Sequence, residues 1–499
     1  MALQVNRQSL EVEKLIGMKY VQALIRAEAL VPGAGREAIE PLMWDASLFI
    51  GETDVQTDRI VIEGSISCQG VYRQGEETSM RALAAQTSLN QAIEIPGTAA
   101  GMLARVCAEV EHVDAKYENG HMIFLVTCGI KAQVLELSPA GVIDSVSGVD
   151  GLQTRYRKLC SVRLAAEASE MSLLREKVAL PAALDARTSL MDWGTVDIED
   201  VSPDLGGMRV KGKLLVETLV ASGVPGRPAV LVRYPVGFDQ LVEIPEWLTE
   251  NVFAEADIRS VRSVVEQAEG EEDAQLACEA EIRFRLIANS QDCADALEDI
   301  YATCGNRLET QPGDIVLCTA AERVCTSETV RGTVLIGENA PGVGTVIATR
   351  VHPVIGEWTN ENGRGRIDGI LEAAVLYMPG GSDLAASAQS ELPFSITVPM
   401  ALTEDACVRL QVTGAESNAL MSDRLEMKIQ MNVCCEARRR EEFAIVTDVE
   451  AGAEIRKKPG YVIFWPEGGE DAWTVGKRYG VETTAVGPVK RGEPVIVKI

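Results

Sequence analysis

Strict alternation of apolar and polar residues is the dominant pattern in this chain of 499 residues. Its clearest example runs from Leu276 to Ala288, where every second residue is apolar and most residues between them are charged. A second example runs from Leu425 to Val433. A period of two places one face of a strand on a core and the other in water. The pattern therefore predicts antiparallel sheets, because parallel sheets are usually buried on both faces.

Two short motifs occur three times each. An Ile/Val-x-Gly tripeptide precedes an apolar run, and an Ile/Val-x-Ile/Val-Pro tetrapeptide follows 32, 33 and 30 residues later. The last residues of these motifs are Gly64, Gly212 and Gly369, and Pro96, Pro245 and Pro399. Proline cannot donate to a sheet, so each tetrapeptide predicts the end of a strand. The glycines lie 148 and 157 residues apart, which indicates a repeating unit of whole-domain size.

These repeats predict a mainly β protein with three tandem antiparallel, sandwich-like domains. We expect them at residues 32–150, 151–305 and 306–456. The segment Ser9 to Leu30 carries apolar residues at helical spacing and is followed by Pro32, which predicts a helix within residues 1–31. A small α+β domain is expected at residues 457–499.

The small terminal domain has its own pattern. Tyr461–Trp465 predicts a strand, Asp471–Tyr479 a short helix and Pro494–Ile499 a returning strand. Gly480 suits the left-handed position that follows a helix. Trp473 lies off the predicted apolar face of the helix. Its indole is expected either to cover the small core or to anchor an interface.

Charge argues against several classes of partner. The chain has 74 acidic and 47 basic residues, a formal net charge of −27. Such a surface repels phosphate backbones and anionic lipid, so neither nucleic acid nor a membrane surface is an expected partner. No apolar run is long enough to cross a bilayer, and Met1 to Asn6 has no export-signal pattern. The sequence therefore predicts a cytoplasmic protein without a membrane span.

Twelve cysteines are scattered along the chain without a Cys-x-x-Cys motif. Most occupy apolar positions of predicted strands, where free cysteine acts as a small hydrophobic residue. Cys434 and Cys435 are adjacent on one strand and point to opposite faces. We expect all twelve to be free thiols in a reducing compartment.

Candidate catalytic chemistry is sparse. His112, His121 and His352 lie far apart in sequence and have no metal-ligand spacing. Phosphate-binding and dinucleotide-binding glycine motifs are missing from the sequence. Sequence alone does not pair the many carboxylates, so a hydrolase with dispersed acidic residues stays a third alternative. The expectation is a protein that is not an enzyme and has no cofactor or metal.

These repeats resemble a known family. The three glycine-to-proline units are similar to the SPOCS domain, formerly DUF3794, and residues 457–499 resemble a LysM domain. SPOCS repeats followed by one terminal LysM domain is the order found in SipL-like spore-coat morphogenetic proteins. The resemblance implies a non-enzymatic scaffold that acts in spore coat or cortex assembly. It would be made in the mother cell and recruited to the surface of the developing spore.

The LysM resemblance supplies the candidate site. In that family a Gly-Asp-Thr-Leu-Trp-x-Ile-Ala-x-x-Tyr run opens the first helix. Gly469, Trp473, Val475 and Tyr479 match it or replace it conservatively, so they are the candidate partner-binding residues. Gly476 stands where the family has alanine.

The resemblance also implies a partner. Residues 481–492 are short and lack the asparagine that the LysM family usually carries in a second helix. This departure favours docking to protein over binding to glycan, and the implied partner is a SpoIVA-like ATPase of the coat basement layer. The alternative is a cell-envelope protein that binds the N-acetylglucosamine chains of peptidoglycan.

Overall fold

A computed structural model describes residues 3–33, 38–245, 251–267, 274–337, 340–457 and 459–499. Most of this part of the chain is β-strand, and all its strand pairs are antiparallel. The mainly β class predicted from alternation is therefore confirmed.

Unit 1 contains six strands in two three-stranded sheets, with orders β1-β6-β5 and β2-β3-β4. Apolar side chains from both sheets form one core between them. The strands are β1 (Gln4–Leu30), β2 (Ile39–Gln56), β3 (Arg59–Gln74), β4 (Arg81–Glu94), β5 (Leu103–Glu118) and β6 (His121–Ser147).

Unit 2 repeats this topology, with sheet orders β7-β12-β11 and β8-β9-β10 around its own core. A 3₁₀ turn at Ala182–Leu184 joins its first two strands. The strands are β7 (Leu152–Ala179), β8 (Ala186–Asp204), β9 (Gly207–Ser222), β10 (Ala229–Glu243), β11 (Val252–Glu266) and β12 (Gln275–Ala302).

Unit 3 has the same plan again, with sheet orders β13-β18-β17 and β14-β15-β16 around a third core. The strands are β13 (Asn306–Leu335), β14 (Val343–Glu361), β15 (Arg364–Pro379), β16 (Ala386–Val398), β17 (Cys407–Met421) and β18 (Arg424–Glu454). The strand ends agree with the proline motifs, because β4, β10 and β16 each stop one or two residues before the proline.

The terminal module is the small unit that follows β18. It contains β19 (Tyr461–Phe464), α1 (Ala472–Tyr479), a 3₁₀ turn at Thr483–Ala485 and β20 (Val495–Lys498). The two strands pair antiparallel. The predicted strand–helix–strand order is therefore present.

The helix expected within residues 1–31 is wrong, because Gln4–Leu30 is the strand β1 and pairs with β6 along its length. A register shift between Leu15 and Gly17 breaks the alternation of this strand. Its first half contributes Leu10 to a cluster between units, while its second half faces the core of unit 1. The register shift and the change from one cluster to the other gave the apolar positions a helix-like spacing. Leu24, which belongs to the predicted helical stripe, is exposed.

The three motif glycines occupy equivalent positions, as the repeat predicts. Gly64, Gly212 and Gly369 lie on β3, β9 and β15, the middle strands of equivalent sheets. Each faces an isoleucine of the neighbouring strand at a register shift, namely Ile50, Ile198 and Ile355. A Cβ at any of the three would collide with a backbone carbonyl oxygen of the neighbouring strand. Close approach of the backbone at a bulge therefore explains why the motif ends in glycine.

Equivalent residues of the three units meet around Asp45. The motif glycines face Ile50, Ile198 and Ile355 across the sheet. Asp45, Trp193 and Arg350 each lie five residues before that isoleucine, so they hold the same position of β2, β8 and β14. Trp193 Nε1 and Arg350 Nε donate to Asp45 Oδ2 at 2.5 and 2.7 Å, and His352 Nε2 lies 2.5 Å from Oδ1. Burial raises the pKa of Asp45, but Arg350 and His352 lower it well below its usual range.

A second junction joins the three units through buried charge. Arg438 Nη1 of unit 3 donates to Glu13 Oε2 of unit 1 at 2.7 Å, and both side chains are fully buried. Unit 2 completes the cluster, since Asn289 Oδ1 accepts from Arg438 at 2.8 Å and Leu164 N donates to Glu13 at 3.0 Å. Apolar clusters with members from all three units surround both junctions. The three units are therefore packed into one body.

Six of the twelve cysteines form disulfides, so the expectation of twelve free thiols is wrong. Two bonds join facing strands within a unit, Cys160–Cys293 and Cys325–Cys434, and Cys107–Cys407 joins unit 1 to unit 3. The partners lie 109 to 300 residues apart. Strand register brings together the two pairs within units, and packing of unit 1 against unit 3 brings together Cys107 and Cys407. The argument from cysteine usage to a reducing compartment fails with this correction.

The motif glycine can be tested by substitution. Gly212→Ala should reduce the free energy of unfolding by about 1–3 kcal/mol, because the new Cβ collides with Asp197 O and with the Phe238 ring. Gly237→Ala on the neighbouring strand is the matched control, since no atom lies within 4 Å of its added Cβ. Urea unfolding of the two variants measures the difference. Equal stability would contradict the steric explanation.

The disulfides can be counted directly. Thiol titration of the denatured chain without reductant should return six free thiols, those of Cys68, Cys128, Cys278, Cys304, Cys318 and Cys435. Reduction before titration should return all twelve. A value near twelve without reductant would show that the three bonds are absent from the protein in solution.

Candidate docking surface on the terminal module

A small valine core holds the terminal module together. Val475 of α1 packs with Val495 and Val497 of β20, and the loop residues Val481 and Val486 complete the cluster. Val475 and Val497 are fully buried. The two-stranded sheet of β19 and β20 therefore buries one face against the helix, as alternating residues of β20 require.

Local sequence fixes both ends of α1. Asp471 is the N-cap, and its Oδ1 accepts from Thr474 N at 2.8 Å and from Thr474 Oγ1 at 2.7 Å. These hydrogen bonds lower the pKa of Asp471. Gly480 ends the helix in the left-handed conformation, with φ of 66°. The predicted cap at Gly480 is confirmed.

The opposite face of this two-stranded sheet is apolar and exposed. Tyr461, Ile463 and Trp465 point outward at every second position and are 71, 53 and 57% exposed. Ile496 on β20 pairs with Ile463 and is 63% exposed. We name these four residues the strand face. An apolar cluster of this kind on a 43-residue unit is typical of a protein contact surface.

The helix side of the module rests on unit 2. Trp473 Nε1 donates to Asp299 Oδ2 at 2.8 Å, and its indole meets the Tyr301 ring edge-on with centroids 5.0 Å apart. Lys477 Nζ lies 2.5 Å from Asp299 Oδ1. Tyr301 OH donates to Val481 O at 2.9 Å. We name this contact the seat, and its unit 2 residues lie at the end of β12.

The four residues predicted from the LysM motif do not form one surface. Gly469 lies in the turn before α1 with φ of 87°. Trp473 faces the seat, Val475 is in the core, and Tyr479 packs edge-on against Phe464 at 6.1 Å. Val475 can therefore support a binding surface but has no exposed area with which to form one. Partner binding by this set stays a prediction.

Sequence reasoning missed the strand face and the seat for different reasons. A signal for the strand face was available, because the residues of β19 and β20 are almost all apolar. One short helix covers only one side of a two-stranded sheet, so the other side stays exposed. Asp299 and Tyr301 lie more than 170 residues before Trp473, so no local pattern connects them. Only the folded chain shows that contact.

The histidines take part in contacts between or within units. His112 Nδ1 lies 3.0 Å from Glu372 of unit 3, and His352 contacts Asp45 of unit 1. His121 Nδ1 lies 3.2 Å from the carbonyl of Asn119. Each histidine therefore has a structural role available to it.

A charged cavity of about 40 Å³ lies where the three units meet, beside the Cys107–Cys407 bond. Its arginines are already paired, since Arg285 and Arg409 contact Glu255 at 2.5 and 2.7 Å. Burial raises the pKa of Glu255, but Arg409, Arg285 and Arg323 lower it to about 2. The cavity is thus lined by ion pairs that neutralise each other.

Within the described ranges, no three His, Cys, Asp or Glu side chains are grouped so that they could hold a metal ion. None of the helices described has both the length and the hydropathy needed to cross a bilayer.

Comparison with known proteins gives one family match. Residues 38–118 match the family model described as SipL, SPOCS domain, which covers β2 to β5 of unit 1. This match supports a relation to the SipL family and to sporulation. Searches of the curated proteins and of the solved structures found no match.

Proposed function

We propose that this chain is a non-enzymatic assembly protein of the spore coat or cortex. In this proposal units 1, 2 and 3 are SPOCS-like domains that form a scaffold, and the LysM-like terminal module docks a SpoIVA-like coat ATPase. The match at residues 38–118 supports the connection with sporulation. The common topology of the three units supports extending that relation to the whole body.

The exposed strand face is the observation that carries the docking role. Tyr461, Ile463, Trp465 and Ile496 place two aromatic and two branched side chains in water. Tyrosine and tryptophan are enriched among the residues that dominate the binding energy of protein interfaces. One basic residue, Lys498, pairs with Tyr461 at the edge of the strand face. Charge of this sign favours a partner with acidic residues around an apolar patch.

The residues from the LysM motif have supporting roles in this proposal. Val475 and Tyr479 pack the helix against the sheet of β19 and β20, and Gly469 permits the turn that leads into α1. The docked partner would bring the chain from the mother cell to the surface of the developing spore. No cofactor is required for this function.

Binding of the coat ATPase to the full chain tests the proposal. Ile463→Ser with Ile496→Ser should weaken binding by at least about 30-fold, since truncating residues of an interface hot spot costs about 2 kcal/mol or more. The valines of β20 that form the core are unchanged, so the module should stay folded. Val264→Ser, at an equally exposed strand position of unit 2, is the matched control and should bind normally.

N-acetylglucosamine oligomers are the second ligand in the same experiment. Weak or absent binding to them is expected, because the usual second-helix asparagine is missing. Tight binding to the oligomers with none to the ATPase would replace the proposal with a carbohydrate-binding role in the cell envelope.

A further inference from the structure

The seat combines hydrogen-bond donors for a carboxylate with space for a tyrosine hydroxyl. These features indicate what the helix side of the module can bind. Asp299 and Tyr301 are two residues apart on β12, so both side chains leave the strand on the same side. Ile300 between them is buried in the body of the protein. The module therefore contacts a strand through the pair Asp-x-Tyr.

The carboxylate of this pair meets two donors of the module. Asp299 Oδ2 accepts from the indole N–H of Trp473 at 2.8 Å, and Oδ1 accepts from Lys477 at 2.5 Å. Burial raises the pKa of Asp299, but the bonds from Lys477 and Trp473 lower it below its usual value. The site thus favours an ionised carboxylate at this position.

The tyrosine of the pair fits a notch that only glycine leaves open. A Cβ on Gly476 would lie 2.5 Å from Tyr301 Oη. The hydroxyl reaches through this space to Val481 O at 2.9 Å and Thr483 Oγ1 at 3.0 Å. Gly476 is the position at which the sequence departs from the alanine of the LysM motif. Room for a tyrosine hydroxyl gives that departure a physical reason.

The ion pairs at the seat are partly exposed to solvent, whereas the hydrogen bond from Tyr301 to Val481 is buried. Lys477 and Asp299 are 43 and 26% exposed, and the flanking pair Arg155 and Asp471 is 45 and 52% exposed. Ion pairs at this exposure contribute little to stability and are screened by salt. Small polar contacts between domains of one chain commonly open and close.

We propose that the Trp473 side of the module is a recognition site for a β-strand bearing Asp-x-Tyr, filled by unit 2 until a partner strand displaces it. This inference rests on the proposed docking function and names the chemistry of a second contact of that module. The partner presents a carboxylate and, two residues later, a tyrosine on an extended segment. The strand face is free in both states.

A peptide replacing the internal strand tests this site in the full chain. The probe is the fluorescein-labelled octapeptide Ala-Leu-Glu-Asp-Ile-Tyr-Ala-Thr, the sequence of residues 296–303. The vacated variant carries Asp299→Ser and Tyr301→Ser. If unit 2 occupies the site in about nine chains of ten, the vacated variant should bind the probe about tenfold more tightly than the native chain.

Two controls separate specific from general binding. A peptide with Asn and Phe in place of Asp and Tyr should bind the vacated variant at least about tenfold more weakly, because the charge and the hydroxyl are gone. Adding Gly476→Ala to the vacated variant should abolish binding of the probe, since the methyl group fills the notch. Equal binding of both peptides, or binding that survives Gly476→Ala, would overturn the proposal.

Gly476→Ala in the otherwise native chain gives a second measurement that needs no peptide. Alanine favours the helix, so α1 should persist while the seat loosens. Deuterium exchange should then rise at Thr483, whose N–H donates to Gln153 Oε1 of unit 2, and stay low at the Val475 core. Unchanged exchange at Thr483 would contradict a seat built on the notch.

These assays contain no ATPase and leave the strand face intact. A failure here would therefore overturn the Asp-x-Tyr site without affecting the proposed docking by the strand face. If the native chain does not bind the ATPase, docking by the strand face fails as a proposal and the Asp-x-Tyr site is unaffected.

Discussion

The buried ion pair between Glu13 and Arg438 is the constraint on which the arrangement of the three units depends. Removing two charges from water is expensive, and the interaction is tolerated only when hydrogen bonds satisfy both groups. Here the partners come from units 1 and 3, while unit 2 supplies Asn289 and the backbone of Leu164. Separating any unit from the others would remove part of this hydrogen-bonded cluster.

The same logic operates around Asp45, where one position of the repeat has become three different residues. A carboxylate, an indole and a guanidinium occupy equivalent sites, and together they satisfy one another. Three copies of one residue could not do this, because three Asp or three Arg residues would repel one another and three Trp residues would have donors without an acceptor. Divergence among the repeats therefore produced a heterogeneous junction that fixes which unit lies where. The body that results holds the terminal module at the end of β12.

Much of the fold was predictable because alternation and strand-ending prolines are local signals. The residues from Leu276 to Ala288 and the three motif glycines are where the pattern placed them. The strand β1 was not predictable, since the bulge near Leu15 and a change of core along one strand imitated helical spacing. The disulfides and the seat depend on pairings between residues more than 100 positions apart, which no sequence window contains.

For the candidate site, the sequence located the module and its helix but not the surfaces it presents. The LysM motif drew attention to Val475, which is buried, and not to Ile463 or Ile496. In a small domain the core also needs some of the motif residues, because few residues are available to build that core. Which face is free depends on how the rest of the chain covers the module. That information is present only in the folded body.

Differential scanning calorimetry tests directly whether the three units form one body. The native body should unfold in one transition whose calorimetric and van't Hoff enthalpies agree. Glu13→Gln should destabilise that whole transition by about 3–5 kcal/mol, because it leaves Arg438 buried without its counter-charge. Three separate transitions in the native chain would show that the units unfold independently. An unchanged transition in the variant would show that the Glu13–Arg438 pair does not hold them together.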